Sequence, residues 1–146
     1  MEHIDQEKAQ RVWQRVTGGA AAPEGSLVDL IAGEWADATT YLHLARQLGG
    51  SAGNILRRMF QQEQAHAACL KGIYALISGS RPSIPTPPPP REPTQVVLRR
   101  CYGREMQCLA QYESRTSDPD YGQVYAKLAA QEREHCKNIL ELLGKL

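Results

Sequence analysis

Residues 59–77 read MFQQEQAHAACLKGIYALI, and this stretch decides the fold. Steps of three and four along it place apolar residues on one face, the pattern of a helix in a bundle. Two polar residues, Glu63 and His66, interrupt that face. Residues three apart on a helix point to the same side. The stretch therefore predicts a helix that carries a carboxylate and an imidazole into the protein interior.

The same Glu-x-x-His pattern recurs at Glu132 and His135, in the second half of the chain. Each motif follows a segment in which a glutamate and a tyrosine lie seven residues apart, almost two helical turns. These pairs are Glu34 with Tyr41 and Glu105 with Tyr112, and they stand at matching positions ahead of the two motifs. The chain is therefore predicted to contain an internal repeat of a helix pair.

Four long helices are predicted around these motifs, which makes the fold an all-α antiparallel four-helix bundle. N-terminal signals precede the first and fourth helices, Ser26 with Asp29 and Asp118 with Pro119. Glycines follow the ends of the first and last helices. The predicted helices run from about Ser26 to Gly49, Ser51 to Ile77, Thr94 to Thr116 and Pro119 to Leu143.

The segment Ser78–Pro93 reads SGSRPSIPTPPPPREP and holds most of the prolines, so it is neither a helix nor a central strand. It is predicted to be one long crossover between the second and third helices rather than a proline motif for a partner. The bundle domain is assigned to residues 26–146. Residues 1–25 are assigned to a short amphipathic helix, about Asp5–Val16, and a linker, expected to pack across the bundle or against a second subunit in a homodimer.

Composition narrows the classes of function. A chain of 146 residues suits one domain, and its 17 basic residues are interleaved with 16 acidic ones, which argues against nucleic acid as a partner. No apolar run reaches the roughly 18 residues of a membrane span, and the N-terminus is too polar for a secretion signal. Four scattered cysteines indicate reduced thiols rather than disulfides or a zinc ribbon. We expect a cytoplasmic protein without membrane contact.

Buried carboxylates require compensation, because each unpaired one costs several kcal/mol. Two divalent cations would neutralise four glutamates, and two imidazoles would complete the coordination. The sequence therefore predicts a two-metal site. Its predicted ligands are Glu34, Glu63, His66, Glu105, Glu132 and His135.

These residues resemble the ligand set of the ferritin-like di-iron carboxylate superfamily, in which two helices give one glutamate each and two give Glu-x-x-His. Within it, residues 26 to 144 look most like the rubrerythrin and bacterioferritin group. The resemblance implies two iron ions, with Glu34 and Glu105 as terminal ligands and Glu63 and Glu132 as bridging ligands. It also implies one imidazole per metal, from His66 and His135.

The chain departs from that group in two respects. Rubrerythrins usually carry a rubredoxin with two Cys-x-x-Cys pairs, which this sequence lacks, and a further glutamate where Cys108 stands. The helices, about 23–27 residues, are short for the walls of a ferritin cage. A member of the superfamily that forms no cage fits better.

Three functions remain open on these residues. The first is an oxidoreductase, resembling a rubrerythrin peroxidase or a ferroxidase, that reacts with hydrogen peroxide or dioxygen and draws on an external electron donor. The second is a protein that binds or buffers iron, manganese or zinc without turnover. The third is a dimeric helical scaffold with a degenerate metal site. Tyr41 and Tyr112 are predicted to support the ligands by hydrogen bonds. The alternatives are a role as local electron donors and, favoured over it, that of core tyrosines with satisfied hydroxyls.

Overall fold

The computed structural model describes residues 27–146, and this part of the chain is all-α. No strand occurs within it. Its four helices are α1 Leu27–Leu48, α2 Gly50–Ser78, α3 Thr94–Glu113 and α4 Gly122–Lys145. The predicted all-α class and number of bundle helices are confirmed. The predicted N-terminal helix and the Ser26 cap lie outside the described residues.

Glycines join α1 to α2 in a tight turn. Gly49 and Gly50 have φ of 60° and 58°, a left-handed conformation that favours glycine. The Gly49 N–H donates to the Ala45 carbonyl. At Gly53 a Cβ atom would lie only 2.9 Å from the Ala45 oxygen, so the first turn of α2 packs directly on the last turns of α1.

The connection between α3 and α4 is longer than predicted, because α3 ends at Glu113 and α4 begins at Gly122. The N–H groups of Arg115 and Thr116 donate to carbonyls three residues back, and such bonds tighten the end of a helix. Asp118, predicted with Pro119 to precede the fourth helix, does form hydrogen bonds there: its Oδ1 accepts the N–H groups of Asp120 and Tyr121. Regular helix begins only at Gly122, because Tyr121 has φ of −127°.

Two apolar clusters divide the bundle along its length. The first joins the start of α1 and the end of α2 with the end of α3 and the start of α4, and includes Ile31, Leu70 and Tyr112. The second joins the opposite ends of the same helices, and includes Leu56 and Leu98. Helix α1 therefore runs opposite to α2 and α3, and α4 runs in the direction of α1.

The proline-rich connection, residues 79–93, contains no helix. Ile84 packs against the first apolar cluster, and the Trp35 indole N–H donates to Thr86 Oγ1 at 3.0 Å. Further along, Glu92 pairs with Arg100 at 2.6 Å. These contacts hold the connection against α1 and α3. None of the four helices is long and apolar enough to span a bilayer.

Candidate metal centre

A layer of charged side chains lies between the two apolar clusters. Its members are almost fully buried, at 2% exposure or less. They are Glu34, Asp37, Glu63, His66, Glu105, Glu132 and His135. All six predicted ligands are therefore brought together, along with Asp37, which the sequence analysis did not assign to the site.

The ligand atoms form two groups that share two glutamates. In each group the atoms lie within 4.8 Å of one another. One group is Glu34, Glu63, His66 and Glu132, and the other is Glu63, Glu105, Glu132 and His135. The two shared carboxylates are in position to bridge two ions, and each remaining Glu–His pair is in position to serve one ion.

Each histidine contacts glutamates of both halves of the repeat. His66 Nδ1 lies 2.7 Å from Glu34 Oε2 and 2.8 Å from Glu132 Oε1. His135 Nδ1 lies 2.6 Å from Glu63 Oε1 and 3.5 Å from Glu105 Oε2. The centre therefore has an approximate twofold arrangement that follows the internal repeat.

Hydrogen bonds alone do not satisfy this layer. The N–H at His66 Nδ1 donates to Glu34, and within the described chain neither oxygen of Glu63 or Glu132 has a hydrogen-bond partner. His135 Nδ1 also has none, despite its short distance to Glu63. Buried acceptor atoms without donors are costly, and a convergent set of oxygen and nitrogen atoms can be satisfied by a cation. The donor set therefore fits two metal ions.

Two glutamines orient the imidazoles, and the sequence analysis missed them. His135 Nε2–H donates to Gln62 Oε1 at 2.6 Å, and His66 Nε2–H donates to Gln131 Oε1. Metal-bound histidines usually donate their other ring N–H in this way, and the inner nitrogen of His66 would be free to bind once a metal displaced the proton that it shares with Glu34. Each glutamine directly precedes the glutamate of a Glu-x-x-His motif, so the repeat carried a signal for both.

The two predicted tyrosines differ in their contacts. Tyr41 O–H donates to Glu105 Oε1 at 2.6 Å, across the two halves of the repeat. Tyr112 is equally buried, but its hydroxyl has no hydrogen-bond partner within residues 27–146. The support predicted for a ligand by hydrogen bonding is therefore seen at Tyr41 alone of the pair.

The repeat breaks down beside Glu34. Asp37 lies one turn after Glu34, and Cys108 stands at the equivalent position after Glu105. Asp37 Oδ1 pairs with Arg104 Nε at 2.7 Å, while its Oδ2 has no hydrogen-bond partner among the described residues. Ligand atoms of Glu34, Asp37 and Cys108 lie within 4.8 Å of one another. The centre thus has a fifth carboxylate, that of Asp37, beside Glu34, and this carboxylate is paired with Arg104.

Burial governs the protonation of these groups. It raises the pKa of Glu63 well above the usual range, and the charges of Glu34 and Glu105 raise it further. Burial also raises the pKa of Asp37 well above its ordinary value, although Arg104 opposes this shift. Burial alone would lower the pKa of His66, but its hydrogen bond to Glu34 and that residue's charge raise it overall. Without metal, the centre therefore retains protons.

The nearby thiols are also protonated. Burial raises the pKa of Cys101 to about 12, and it raises the pKa of Cys108 as well. All four cysteines are free.

Comparison with protein-family models, curated proteins and solved structures gave no match.

Proposed function

We propose that the protein binds two metal ions, in the first place iron, and uses them as an oxidoreductase that reacts with hydrogen peroxide or dioxygen. One observation carries the proposal: two groups of buried ligand atoms share Glu63 and Glu132. In this proposal Glu63 and Glu132 bridge the ions. Glu34 and His66 serve one ion, and Glu105 and His135 serve the other.

Charge supports two divalent ions rather than one. The four shared and terminal glutamates supply four negative charges, which two ions of charge +2 balance. The fifth buried carboxylate, Asp37, already has its counter-ion, since Arg104 lies 2.7 Å away. The layer is therefore neutral when two ions are bound, as burial between two apolar clusters requires.

Two bound iron ions would together supply the electrons needed to cleave the O–O bond of peroxide or dioxygen. Carboxylate-rich ligation suits that chemistry. The protein's own groups have positioning roles. Gln62 and Gln131 hold the outer ring nitrogens, so each Nδ1 faces the carboxylates. Tyr41 O–H holds one oxygen of Glu105 and leaves its other oxygen free to bind. Manganese or zinc would also accept this donor set.

The ferritin-like assignment belongs to the same proposal. It is supported by two helix pairs with Glu in the first helix and Glu-x-x-His in the second, and by α2 and α3 running in the same direction. A long connection is needed between two such helices, and residues 79–93 provide it. An external electron donor and a cytoplasmic location complete the proposal, and the four free thiols are consistent with a reducing compartment.

The test is anaerobic loading with Fe(II), followed by exposure to peroxide or to dioxygen, with metal content and optical absorption as readouts. We expect about two irons per chain and rapid oxidation. Two bound ions without oxidation would leave a metal-binding protein that does not turn over. Failure to bind metal at saturating concentration would leave a helical scaffold and refute the proposal.

The bridging glutamates can be tested separately. Glu132→Ala or Glu63→Ala should reduce occupancy from about two ions to one or none, because each removes a ligand of both ions. Glu134→Ala, on the same helix but exposed, is the matched control and should retain both ions. Cys108→Ala should change the stoichiometry little. Unchanged occupancy in the Glu63 and Glu132 variants would contradict the assignment.

A further inference from the structure

Two half-buried glutamines connect α2 and α4 at the level of the charged layer. Gln62 of α2 accepts a hydrogen bond from His135 of α4, with 2.6 Å between Oε1 and Nε2. Gln131 of α4 accepts one from His66 of α2. The two imidazole rings stack with their centroids 6.0 Å apart. Each helix therefore supplies the acceptor for the histidine of the other helix, and the two pairs lie side by side.

Both acceptors are uncharged amides. A carboxylate would accept the same ring N–H, and it is one of the usual partners of a metal-bound histidine. Such a partner makes the imidazole a stronger electron donor to the metal, and it also adds a negative charge close to the ion. An amide fixes the orientation of the ring without that added charge. The choice of glutamine at both positions therefore affects the metal as well as the geometry.

The charge balance of the layer shows the direction of this effect. Two ions of charge +2 balance the four glutamates, and Arg104 balances Asp37. Oxidation of both ions to charge +3 passes two electrons to the oxidant and raises the charge of the layer by two. Glutamates in place of Gln62 and Gln131 would offset this increase, whereas the amides leave it uncompensated. Because uncompensated charge is costly in a buried layer, the amides favour the divalent pair.

We propose that Gln62 and Gln131 are positioning residues that set the reduction potential of the metal pair, and that they hold bound iron in its divalent state. They act through the imidazoles of His135 and His66, whose outer nitrogens they contact. The inference rests on the proposed function, because it concerns bound iron. The hydrogen bonds on which it depends belong to the protein itself, so they can be tested without metal.

The first experiment follows the histidine ring N–H protons of the metal-free full-length protein by NMR. We expect a slowly exchanging Nε2–H proton from both His66 and His135. Gln62→Leu should remove this protection at His135 alone, and Gln131→Leu should remove it at His66 alone. Gln61→Leu, at an exposed neighbouring position, is the control and should change neither. Protection that survives both substitutions, or that is lost on the helix of the substitution, would contradict the reciprocal pairing.

The second experiment measures the midpoint potential of the iron-loaded protein by redox titration, with the iron count as a check on occupancy. Gln62→Glu should lower the potential by about 59 mV, which is a tenfold change in the preference for Fe(III) over Fe(II). Gln131→Glu should act in the same direction and provides a second variant. Gln61→Glu adds the same charge at an exposed position and should change this preference less than about twofold.

The outcomes separate the inference from the proposed function. Two bound irons with an unchanged potential in Gln62→Glu and Gln131→Glu would overturn the inference and leave the metal centre standing. An equal shift in Gln61→Glu would also overturn it, since charge alone would then explain the result without the hydrogen bond to the imidazole. A wild-type protein that binds no iron would instead refute the proposed function, and with it the role assigned to the two glutamines.

Discussion

Tyr41 and Tyr112 show how two identical residues at equivalent repeat positions acquire different roles. Both are fully buried, and each lies seven residues after a glutamate. Among the described residues, Tyr41 donates a hydrogen bond to a carboxylate of the other half, that of Glu105, whereas the Tyr112 hydroxyl has no such partner. The neighbourhood of Glu34 instead contains Asp37 and Cys108, whose ligand atoms and that of Glu34 lie within 4.8 Å of one another. The two halves of the repeat therefore differ near the approximate twofold axis, where one has Asp37 and the other Cys108, and the two tyrosines have different contacts.

The different contacts of Tyr41 and Tyr112 can be tested by the same substitution at both positions. Tyr41→Phe should destabilise the metal-free protein by about 1.5–3 kcal/mol, because it leaves a buried Glu105 oxygen without its donor. Tyr112→Phe should change stability by less than about 1 kcal/mol, since its hydroxyl has no partner to lose in the described chain. Urea unfolding measures both. Equal losses would mean that the two hydroxyls are used alike.

At the level of the helix pair, the repeat extends to the hairpin turns. Gly53 and Gly122 occupy equivalent positions of the repeat, and so do Ala45 and Thr116, whose carbonyls they approach. A Cβ atom would lie 2.9 Å from the Ala45 oxygen at Gly53 and 2.3 Å from the Thr116 oxygen at Gly122. The two hairpins therefore share one way of bringing the second helix onto the end of the first, and so set the register of Glu and His.

Alanine substitution tests whether the close approach at these two glycines sets the register of the helices. Gly53→Ala and Gly122→Ala should each cost about 1–3 kcal/mol, because the added methyl group meets backbone that must shift. Gly72→Ala and Gly103→Ala are the controls, since a Cβ at either position meets nothing within 4 Å. They should stabilise the helices by about 0.5–1 kcal/mol. The readout is the denaturant midpoint, and a stabilising Gly53→Ala or Gly122→Ala would disprove the close approach.

For the whole molecule, the charged layer between two apolar clusters makes the stability of the metal-free protein depend on pH. The pKa values of Glu63, Asp37 and His66 are all raised in the folded protein. As pH rises above about 4.5, the ordinary value for Glu63, the unfolded chain gives up protons that the folded protein keeps. The folded state then binds more protons, so its stability falls as pH rises.

We therefore expect the metal-free protein to unfold at a higher temperature at pH 5 than at pH 8. Glu63→Gln should flatten this dependence, because it removes one of the titrating groups and retains the shape of the side chain. Saturation with metal should raise the unfolding temperature at pH 8 and release protons, since the ions replace the protons on the ligands. Calorimetry across this pH range is the measurement. A metal-free protein that is more stable at pH 8 would contradict the buried, protonated layer.

The sequence by itself determined the all-α class, the four bundle helices and the six residues that meet at the centre, because hydrophobic periodicity and an internal repeat are local features of the chain. It also predicted the buried apolar face of residues 59–77, on which Met59, Leu70 and Ile73 are buried. Helix ends were less predictable, since tightened turns and the backbone at Tyr121 decided them.

The resemblance already implied that Glu63 and Glu132 are the shared glutamates, but only the tertiary structure brings both of them within reach of each Glu–His pair, because that depends on how the two hairpins face each other. The same holds for the Asp37–Arg104 pair, whose partners are far apart in sequence and whose repeat equivalents, Cys108 and Gly33, cannot form an ion pair. A cavity beneath residues 87–92 likewise depends on where the proline-rich connection packs. Periodicity fixes the face on which a side chain lies, whereas its partner across the bundle is set by packing between helices.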